Sequence, residues 1–124
     1  MQMPRSSHQE KSLDLIFGAV ADATRRSMLD RLRGGPLTVT ELARPYAMSL
    51  NAVSKHVMAL ERAGLVRREI RGREHHCRIE PRALREADEW LQHYRQFWEQ
   101  RMDALEGYVR RKYHAKARAR SGRD

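Results

Sequence analysis

The chain has 124 residues, which is enough for one ordinary domain and too few for two compact units with separate cores. Apolar residues make up 40% of it and charged residues 33%, and no apolar run approaches the roughly eighteen residues of a membrane span, which excludes an integral membrane protein. The net charge of +9, from 25 Lys and Arg against 16 Asp and Glu, is typical of proteins that bind a polyanion.

The basic charge is concentrated in two blocks. Residues 44–78 carry eight basic and three acidic residues, a balance of +5, and residues 110–124 carry seven and one, a balance of +6. Residues 1–43 are nearly neutral, with six basic and five acidic residues, whereas residues 79–109 are acidic, with four basic and seven acidic residues. A polyanion is therefore expected to meet the two basic blocks.

The N-terminus and the cysteine content agree with a cytoplasmic protein. The first residues, MQMPRSSHQEKS, contain no apolar run that could serve as a signal sequence, so we expect the cytoplasm as the compartment. The single cysteine, Cys77, cannot form an intramolecular disulfide and cannot by itself build a cysteine-rich metal site. The stability of the fold is therefore expected to come from packing.

Two helices are predicted after a disordered lead-in of residues 1–11, which are polar and without period. Asp22 is a predicted N-cap of the second helix, because its carboxylate can accept hydrogen bonds from amides of the next turn. That helix is expected to end at Gly34. Apolar residues at i, i+3, i+4 and i+7 predict one face of the first helix: Leu13, Ile16, Phe17 and Val20.

The central segment predicts a helix-turn-helix. A very short helix around residues 41–43, capped by Thr38 or Thr40, precedes a longer helix over residues 50–63, capped by Ser49. Two short helices joined by a tight connection, the second of which exposes small polar residues in its first turns, are typical of this motif.

A basic hairpin follows the second of these helices directly. Residues 65–70 and 74–79 each allow side chains to alternate between two faces, and Arg71-Gly72-Arg73 joins them with glycine at the turn. A helix-turn-helix followed by such a hairpin is a winged helix. We therefore predict a mainly α fold with a small β-hairpin wing.

The last predicted helix carries a wide apolar sector. Pro81 opens it at the first turn, where the missing amide costs nothing, and Trp90 and Phe97 lie beside the main stripe. Residues 110–124 are expected to leave this helix as a basic, flexible, solvated tail, so that the domain spans residues 12–109. The stripe recurs at spacings of three and four residues: Leu84, Ala87, Leu91, Tyr94, Trp98, Met102, Leu105 and Val109.

Three phrases of the sequence resemble the ArsR-type winged helix-turn-helix repressors of bacteria, in the same order and with the same separations: FGAVADATRRSMLDRL, LTVTELARPYAMSLNAVSKHVMALERAGLVRRE and RGREHHCRIEP. The resemblance implies a homodimer that dimerises through its terminal helices and represses transcription by binding a palindromic operator in double-stranded DNA. It also implies a cytoplasmic location at the bacterial nucleoid and release of DNA when an effector arrives. The alternative is a winged-helix protein-interaction module without sequence-specific DNA binding, since a fold does not fix a function.

The resemblance places the DNA-reading surface on the helix that Ser49 caps. The amide of Asn51 has the geometry to form two hydrogen bonds to adenine, and Lys55 can reach a guanine edge or a phosphate. His56 lies at the border of this face. It can be interpreted either as a packed core histidine or as a hydrogen-bond donor to DNA. The helix residues assigned to DNA are Ser49, Leu50, Asn51, Ser54, Lys55 and His56.

In the wing, the resemblance assigns Arg67, Arg71 and Arg73 to DNA. Arg71 and Arg73, at the tip, are expected to contact phosphates or enter the minor groove, which positions the protein with little choice of sequence. The alternative for each arginine is ordinary solubilising charge. The basic residues 110–124 are expected to hold phosphate without sequence preference.

The apolar sector of the last helix predicts a partner surface. It is wider than a domain of this size needs for its own core, so we expect a homodimer interface there, with the first helix packed alongside. The alternative is an intramolecular core alone. The residues assigned to the dimer interface are Leu13, Ile16, Phe17, Leu91, Tyr94, Trp98, Met102 and Leu105.

Neither a metal, a cofactor nor an enzymatic activity is expected. Thiolate sensors of the family carry a cysteine pair in the helix before the reading helix, and Ala43 and Pro45 occupy those places here. His75, His76 and Cys77 alternate along a strand, so they cannot converge on one ion without a bulge. The sequence also has neither a Gly-rich phosphate loop nor a nucleophile elbow. It does not identify an effector.

Overall fold

The computed structural model describes residues 4–121, which form two units that divide between Asp88 and Glu89. The first unit has the winged-helix order of elements, and the second is the continuation of the last helix. The elements are α1 (Ser7–Val20), α2 (Ala23–Leu32), β1 (Leu37–Thr38), α3 (Val39–Ala43), α4 (Leu50–Arg62), β2 (Val66–Arg71), β3 (Glu74–Ile79) and α5 (Pro81–Ser121).

α1 begins earlier than predicted, because Ser6 and Gln9 form a capping box. The Ser6 hydroxyl accepts from the amide of Gln9 at 3.2 Å, and the Gln9 side chain accepts from the amide of Ser6 at 2.8 Å. Together these bonds satisfy two amides that a helix start otherwise leaves without a partner. The predicted disordered lead-in is therefore wrong from Ser7 onward, and its first three residues lie outside the described part of the chain.

The predicted caps of the next helices are confirmed. Asp22 caps α2 by accepting from the amide of Arg25 at 3.0 Å, and Ser49 caps α4 by accepting from the amide of Ala52 at 3.1 Å. Thr38 and Thr40 were the two candidate caps of α3. Thr38 caps the helix, in a second capping box with Glu41. Each helix of the helix-turn-helix therefore has a fixed start.

The sheet contains the predicted hairpin and one strand that the sequence pattern did not indicate. β2 and β3 pair antiparallel from Val66 opposite Ile79 to Arg71 opposite Glu74. Gly72 turns the chain between them with φ of 63°, a conformation that glycine adopts without strain. The two-residue strand β1 pairs with the other edge of β3, which gives the order β1-β3-β2. Two residues are too few to show alternation in a sequence.

The core of the first unit is built from all of its helices and from the sheet. Leu13 and Ile16 are buried, at 5% and 1% exposed; Ile16 belongs to the contiguous core, and Phe17 is partly buried against it. The prediction that Leu13 and Ile16 form a dimer interface is therefore wrong, because the apolar face of α1 is covered by the same chain. The largest fully buried side chains are those of Ile16, Met28, Leu42, Leu60, Leu65, Val53, Val57 and Cys77.

The second unit is a single helix that runs further than predicted. α5 continues to Ser121, so the prediction that residues 110–124 leave the helix as a flexible tail is wrong up to that residue; residues 122–124 lie outside the described part. Alanine, lysine and arginine dominate this end, and all three are good helix formers, which explains the extension. Among the helices of residues 4–121, none is both long and apolar enough to cross a bilayer.

Candidate nucleic-acid interface

α4 presents one buried and one exposed face. Val53, Val57 and Leu60 are fully buried, at spacings of four and three that keep them on one side of the helix. On the other side, Asn51 and Lys55 are exposed, and the side chain of Leu50 stands 55% exposed at the first position. Burial of the first face holds the second toward solvent, as a helix that enters the major groove requires.

α2 fixes the short helix that precedes α4. The guanidinium of Arg31 donates to the carbonyl oxygens of Leu42 and Glu41, the latter at 3.0 Å, and it lies 5.6 Å from the centre of the Tyr46 ring. The hydroxyls of Ser27 and Tyr46 are 2.8 Å apart. These contacts satisfy carbonyls at the end of α3 and hold the turn between α3 and α4, which sets the direction in which α4 leaves it.

An ion pair joins the wing to the reading helix. Arg68 in β2 contacts the carboxylate of Glu61 in α4 at 2.6 Å and the Nδ1 of His75 in β3 at 3.2 Å. The side chain of Arg68 is only 19% exposed, so the attraction is less screened than at an open surface. The orientation of the hairpin relative to α4 is therefore constrained by a charged contact as well as by the core.

An open groove of about 770 Å³ lies between α3, α4 and the wing. Leu50 and Ser54 line it from α4, and Arg73 lines it from the tip of the wing, so three of the assigned DNA residues share one surface. Its acidic residues have partners: Glu41 accepts from Thr38 at 3.0 Å, and Glu74 lies 3.0 Å from His76. These contacts hold both carboxylates in place, so the groove contains fixed charges of both signs.

Two groove residues were missed by sequence reasoning. Thr40 and Arg44, from α3 and its C-cap, line the same groove, and both are exposed. Within residues 4–121, the guanidinium groups of Arg44 and Arg73 have neither a hydrogen-bonded nor an ion-paired neighbour, so both cations are available to a ligand. Arg44 is the first residue of the basic block of residues 44–78, and this position in the sequence could have indicated a contact with DNA.

Arg67 does not share this surface. Its guanidinium lies 3.9 Å from Glu80, and with His8 and Arg82 it lines a second cleft. Neighbouring residues of a strand point to opposite faces, and Arg68 occupies the face that meets α4. The assignment of Arg67 to the DNA surface is therefore not supported, because its side chain points to the other side of the sheet. Arg71, also exposed, contacts Glu69 at 3.2 Å.

His56 lies at the junction of α2 and α4. Its Nδ1 is 3.3 Å from Nη1 of Arg25 and 4.0 Å from Oδ1 of Asp22, and its side chain is 22% exposed. Arg25 also donates to the carbonyl of Ala19 at 2.7 Å. This geometry favours the packed histidine over the donor to DNA, so we remove His56 from the reading surface.

The Asp22 cap should contribute measurably to stability. The amide of Arg25 donates to the carboxylate and lowers the pKa of Asp22 from its ordinary value of 3.8, against the effect of partial burial; nearby Arg25 and His56 charges lower it further. Asp22→Ala is expected to reduce the free energy of unfolding in urea by about 1 kcal/mol at pH 7. Because the pKa is lowered on folding, the charge-dependent part is present above about pH 4 and is lost as the pH falls through the folded pKa.

Asp22→Asn is the matched control, since its amide oxygen caps a helix without the charge. The variant should retain most of the free energy of unfolding at pH 7, and it should not show the loss of stability that the Asp22 carboxylate causes as the pH falls. Equal losses from both substitutions would mean that the cap is not the contribution that Asp22 makes.

The histidine and cysteine cluster of the wing is divided between two environments. Cys77 is fully buried opposite Leu37 and Arg68, whereas His76 faces Glu74 on the other side of the sheet. Burial raises the pKa of the Cys77 thiol above its ordinary value near 9, although the charge of Arg68 opposes the shift. The thiol is thus protonated at neutral pH. Residues 4–121 contain no group of three His, Cys, Asp or Glu side chains placed to hold a metal ion.

Comparison with known proteins places this geometry in a family. A helix-turn-helix domain model matches residues 20–69, the segment from the end of α1 to β2. The crystal structure of the ArsR family transcriptional regulator RHA00566 superposes with a TM-score of 0.69 and 39% sequence identity, over 78% of this chain and 97% of that chain.

Two curated relatives agree with the structural match. The HTH-type transcriptional regulator Rv2034 of Mycobacterium tuberculosis is 48% identical over 56 residues, which are 45% of this chain and about half, 52%, of that protein. The transcriptional repressor SdpR of Bacillus subtilis is 28% identical over 76 residues, which are 61% of this chain and 84% of that protein. The chain therefore belongs to the ArsR family of transcriptional regulators, and it is a DNA-binding transcriptional regulator with a winged helix-turn-helix fold.

Proposed function

We propose that the protein is a homodimeric repressor that binds a palindromic operator in double-stranded DNA through α4 and the wing, and so blocks a promoter. The observation that carries this proposal is the shared groove, where Leu50 and Ser54 of α4 stand beside the free cation of Arg73. SdpR, a repressor by name, supports the direction of control.

α4 and the neighbouring cations offer two different kinds of DNA contact. Asn51, Ser54 and Lys55 present short polar or cationic groups from the first turns of α4, where a helix in the major groove comes closest to base edges. Leu50 offers an apolar contact of the kind that a thymine methyl group accepts. Arg73 and Arg44 are cations without an internal partner, as phosphate contacts require, and they hold the protein in register.

Apolar surface that the chain leaves uncovered supports the proposed dimer. Five of the eight residues assigned to the interface, Leu91, Tyr94, Trp98, Met102 and Leu105, are between 47% and 60% exposed. A contiguous apolar surface of this extent is rare on a soluble monomer and marks an interaction site. Two copies related by a twofold axis would bring two α4 helices to successive major grooves of one operator.

The proposal needs neither a metal nor a cofactor, because Ala43 and Pro45 offer no ligand atom at the family's thiolate positions. We propose the bacterial cytoplasm, at the nucleoid, as its place of action. Titration with zinc, cadmium or arsenite is accordingly expected to leave operator affinity unchanged.

Selection from a random double-stranded DNA library tests the proposal. The full chain should enrich an inverted repeat whose half-sites lie about 10 base pairs apart, centre to centre. A library that stays random would contradict sequence-specific binding, and enrichment of a single half-site would contradict the dimer.

A further inference from the structure

The guanidinium of Arg25, in α2, contacts two other helices. Its Nε donates to the carbonyl oxygen of Ala19 at 2.7 Å and its Nη2 donates to that of Gly18 at 3.1 Å, both at the end of α1. Its Nη1 lies 3.3 Å from Nδ1 of His56 in α4. Because an arginine side chain has donors only, Nδ1 of His56 is the acceptor, and the proton of the neutral ring lies on Nε2. Arg25 is therefore fixed to α1 on one side and holds α4 on the other.

The end of α1 explains why a cation lies here. The last carbonyl groups of a helix have no partner within it, and α1 carries no basic residue in its own last turn. Its neighbour α2 supplies Arg25 and also Arg26, whose Nη1 donates to the carbonyl of Val20 at 2.7 Å. Arg26 is exposed and, within residues 4–121, has no partner on α4. Both arginines thus cap α1, and only Arg25 adds a link to α4.

His56 lies on the flank of α4, between its buried face and its exposed face. It follows the buried Val53 by three residues and precedes the buried Leu60 by four, and the residue before it is the exposed Lys55. The apolar contacts of the buried face hold α4 against the core, but they are not directional. A hydrogen bond is directional, so the contact with Arg25 can fix the rotation of α4 about its own axis.

The rotation of α4 matters because recognition of bases tolerates little displacement. Side-chain tips lie about 6 Å from the axis of a helix, so a rotation of about 10° moves them by about 1 Å. The donor and acceptor of a hydrogen bond to a base edge must lie about 2.7–3.2 Å apart. A lysine that contacts a phosphate can follow the same displacement, since its charge stands on a flexible stem. A small rotation therefore reduces sequence preference before it reduces the attraction to DNA.

We infer that Arg25 is a positioning residue for DNA recognition. Through its hydrogen bond to His56 it sets the rotation of α4 relative to α1 and α2, and thereby the direction of the exposed side chains that read bases. This role requires no contact of either residue with DNA. The inference rests on the proposed function, and it adds a residue that acts on specificity from outside the reading surface.

Matched substitutions of the two arginines in the full chain test the inference. The readout is the ratio of affinities for the operator enriched from the random library and for a permuted sequence of the same length. Arg25→Met should lower this ratio about tenfold, which is within the discrimination that one well-placed base contact supplies. Arg26→Met removes a donor from the same helix end without affecting α4, so the ratio should stay at the wild-type value. Equal losses from both substitutions would mean that only the cap of α1 matters and would overturn the inference.

Two substitutions of His56 separate the hydrogen bond from the packing. His56→Asn should keep the wild-type ratio, because the Oδ1 of asparagine can accept where Nδ1 of the histidine does. His56→Leu offers no acceptor and should lower the ratio about as much as Arg25→Met. The combination of Arg25→Met with His56→Leu should lose no more than either alone, since both remove the same contact. Losses that multiply in the combined variant, or equal ratios for the two His56 variants, would contradict the contact as the cause.

The wild-type protein separates failure of the inference from failure of the proposed function. A wild-type ratio near one would overturn operator reading itself. A high wild-type ratio that both Arg25→Met and His56→Leu retain would overturn the inference alone and leave the repressor in place. Thermal unfolding establishes that each variant is folded at the temperature of the binding measurement. His56→Leu leaves the cap of α1 intact, so it tests the inference even if Arg25→Met does not fold.

Discussion

Trp98→Glu combined with Leu105→Glu should convert the protein to a monomer and lower its operator affinity at least about a hundredfold. The two substitutions place four carboxylates in the centre of the proposed α5 interface and remove two of its apolar anchors, which are 60% and 54% exposed in the isolated chain. A monomer holds one half-site only, so it loses the contribution of the second. Sedimentation equilibrium and fluorescence anisotropy on the selected operator would measure the two effects.

Gln96→Glu combined with Gln100→Glu is the matched control, because it adds the same charge on the polar side of the same helix. It should remain a dimer with nearly unchanged affinity. Thermal unfolding of both variants should stay cooperative, since neither touches the core of the first unit. A double variant at residues 98 and 105 that still sediments as a dimer would contradict the interface.

Asn51→Ala should cost about 1–3 kcal/mol of operator affinity and remove the preference for one base at one position of each half-site. The reason is that the exposed amide is placed in the first turn of α4, where two hydrogen bonds to an adenine edge are within reach. The substitution should not harm folding, because alanine is the better helix former at an exposed position. Competition binding against operators changed one base pair at a time would measure both the loss of affinity and the loss of base preference.

Arg73→Ala is the matching substitution in the wing, and it distinguishes contact with phosphates from recognition of bases. Arg73 lines the groove from the wing and has no partner in the described chain, so its loss should weaken all sequences alike and reduce the salt dependence of binding. If the two variants lost affinity equally across all operators, the division of roles between α4 and the wing would be wrong.

Local signals in the sequence predicted most of the fold. Asp22, Thr38 and Ser49 cap the helices they were expected to cap, since a short oxygen-bearing side chain before an apolar period has few other uses. The hairpin and the buried face of α4 followed from periodicity in the same way. The capping box of Ser6 and Gln9 was an equally local signal that the sequence interpretation overlooked.

The errors concern facts that no local pattern contains. Alternation predicts that Arg67 and Arg68 point to opposite faces, but only the packing of the sheet on α4 decides which of them meets Glu61. An apolar helix face likewise does not say whether its own chain or a partner covers it, and for Leu13 and Ile16 it is the same chain. The role of His56 could not be decided from the sequence, because its neighbours Asp22 and Arg25 lie about thirty residues earlier in the chain.

Sequence-specific reading is measured by the ratio of affinities for the selected operator and for a permuted sequence of the same length and composition, at physiological salt. Sequence-specific reading by α4 predicts a ratio of about a thousand or more. A ratio near one, with binding that disappears as salt is raised, would show that the basic charge attracts DNA without reading it, and the account of the groove as an operator-reading surface would be wrong.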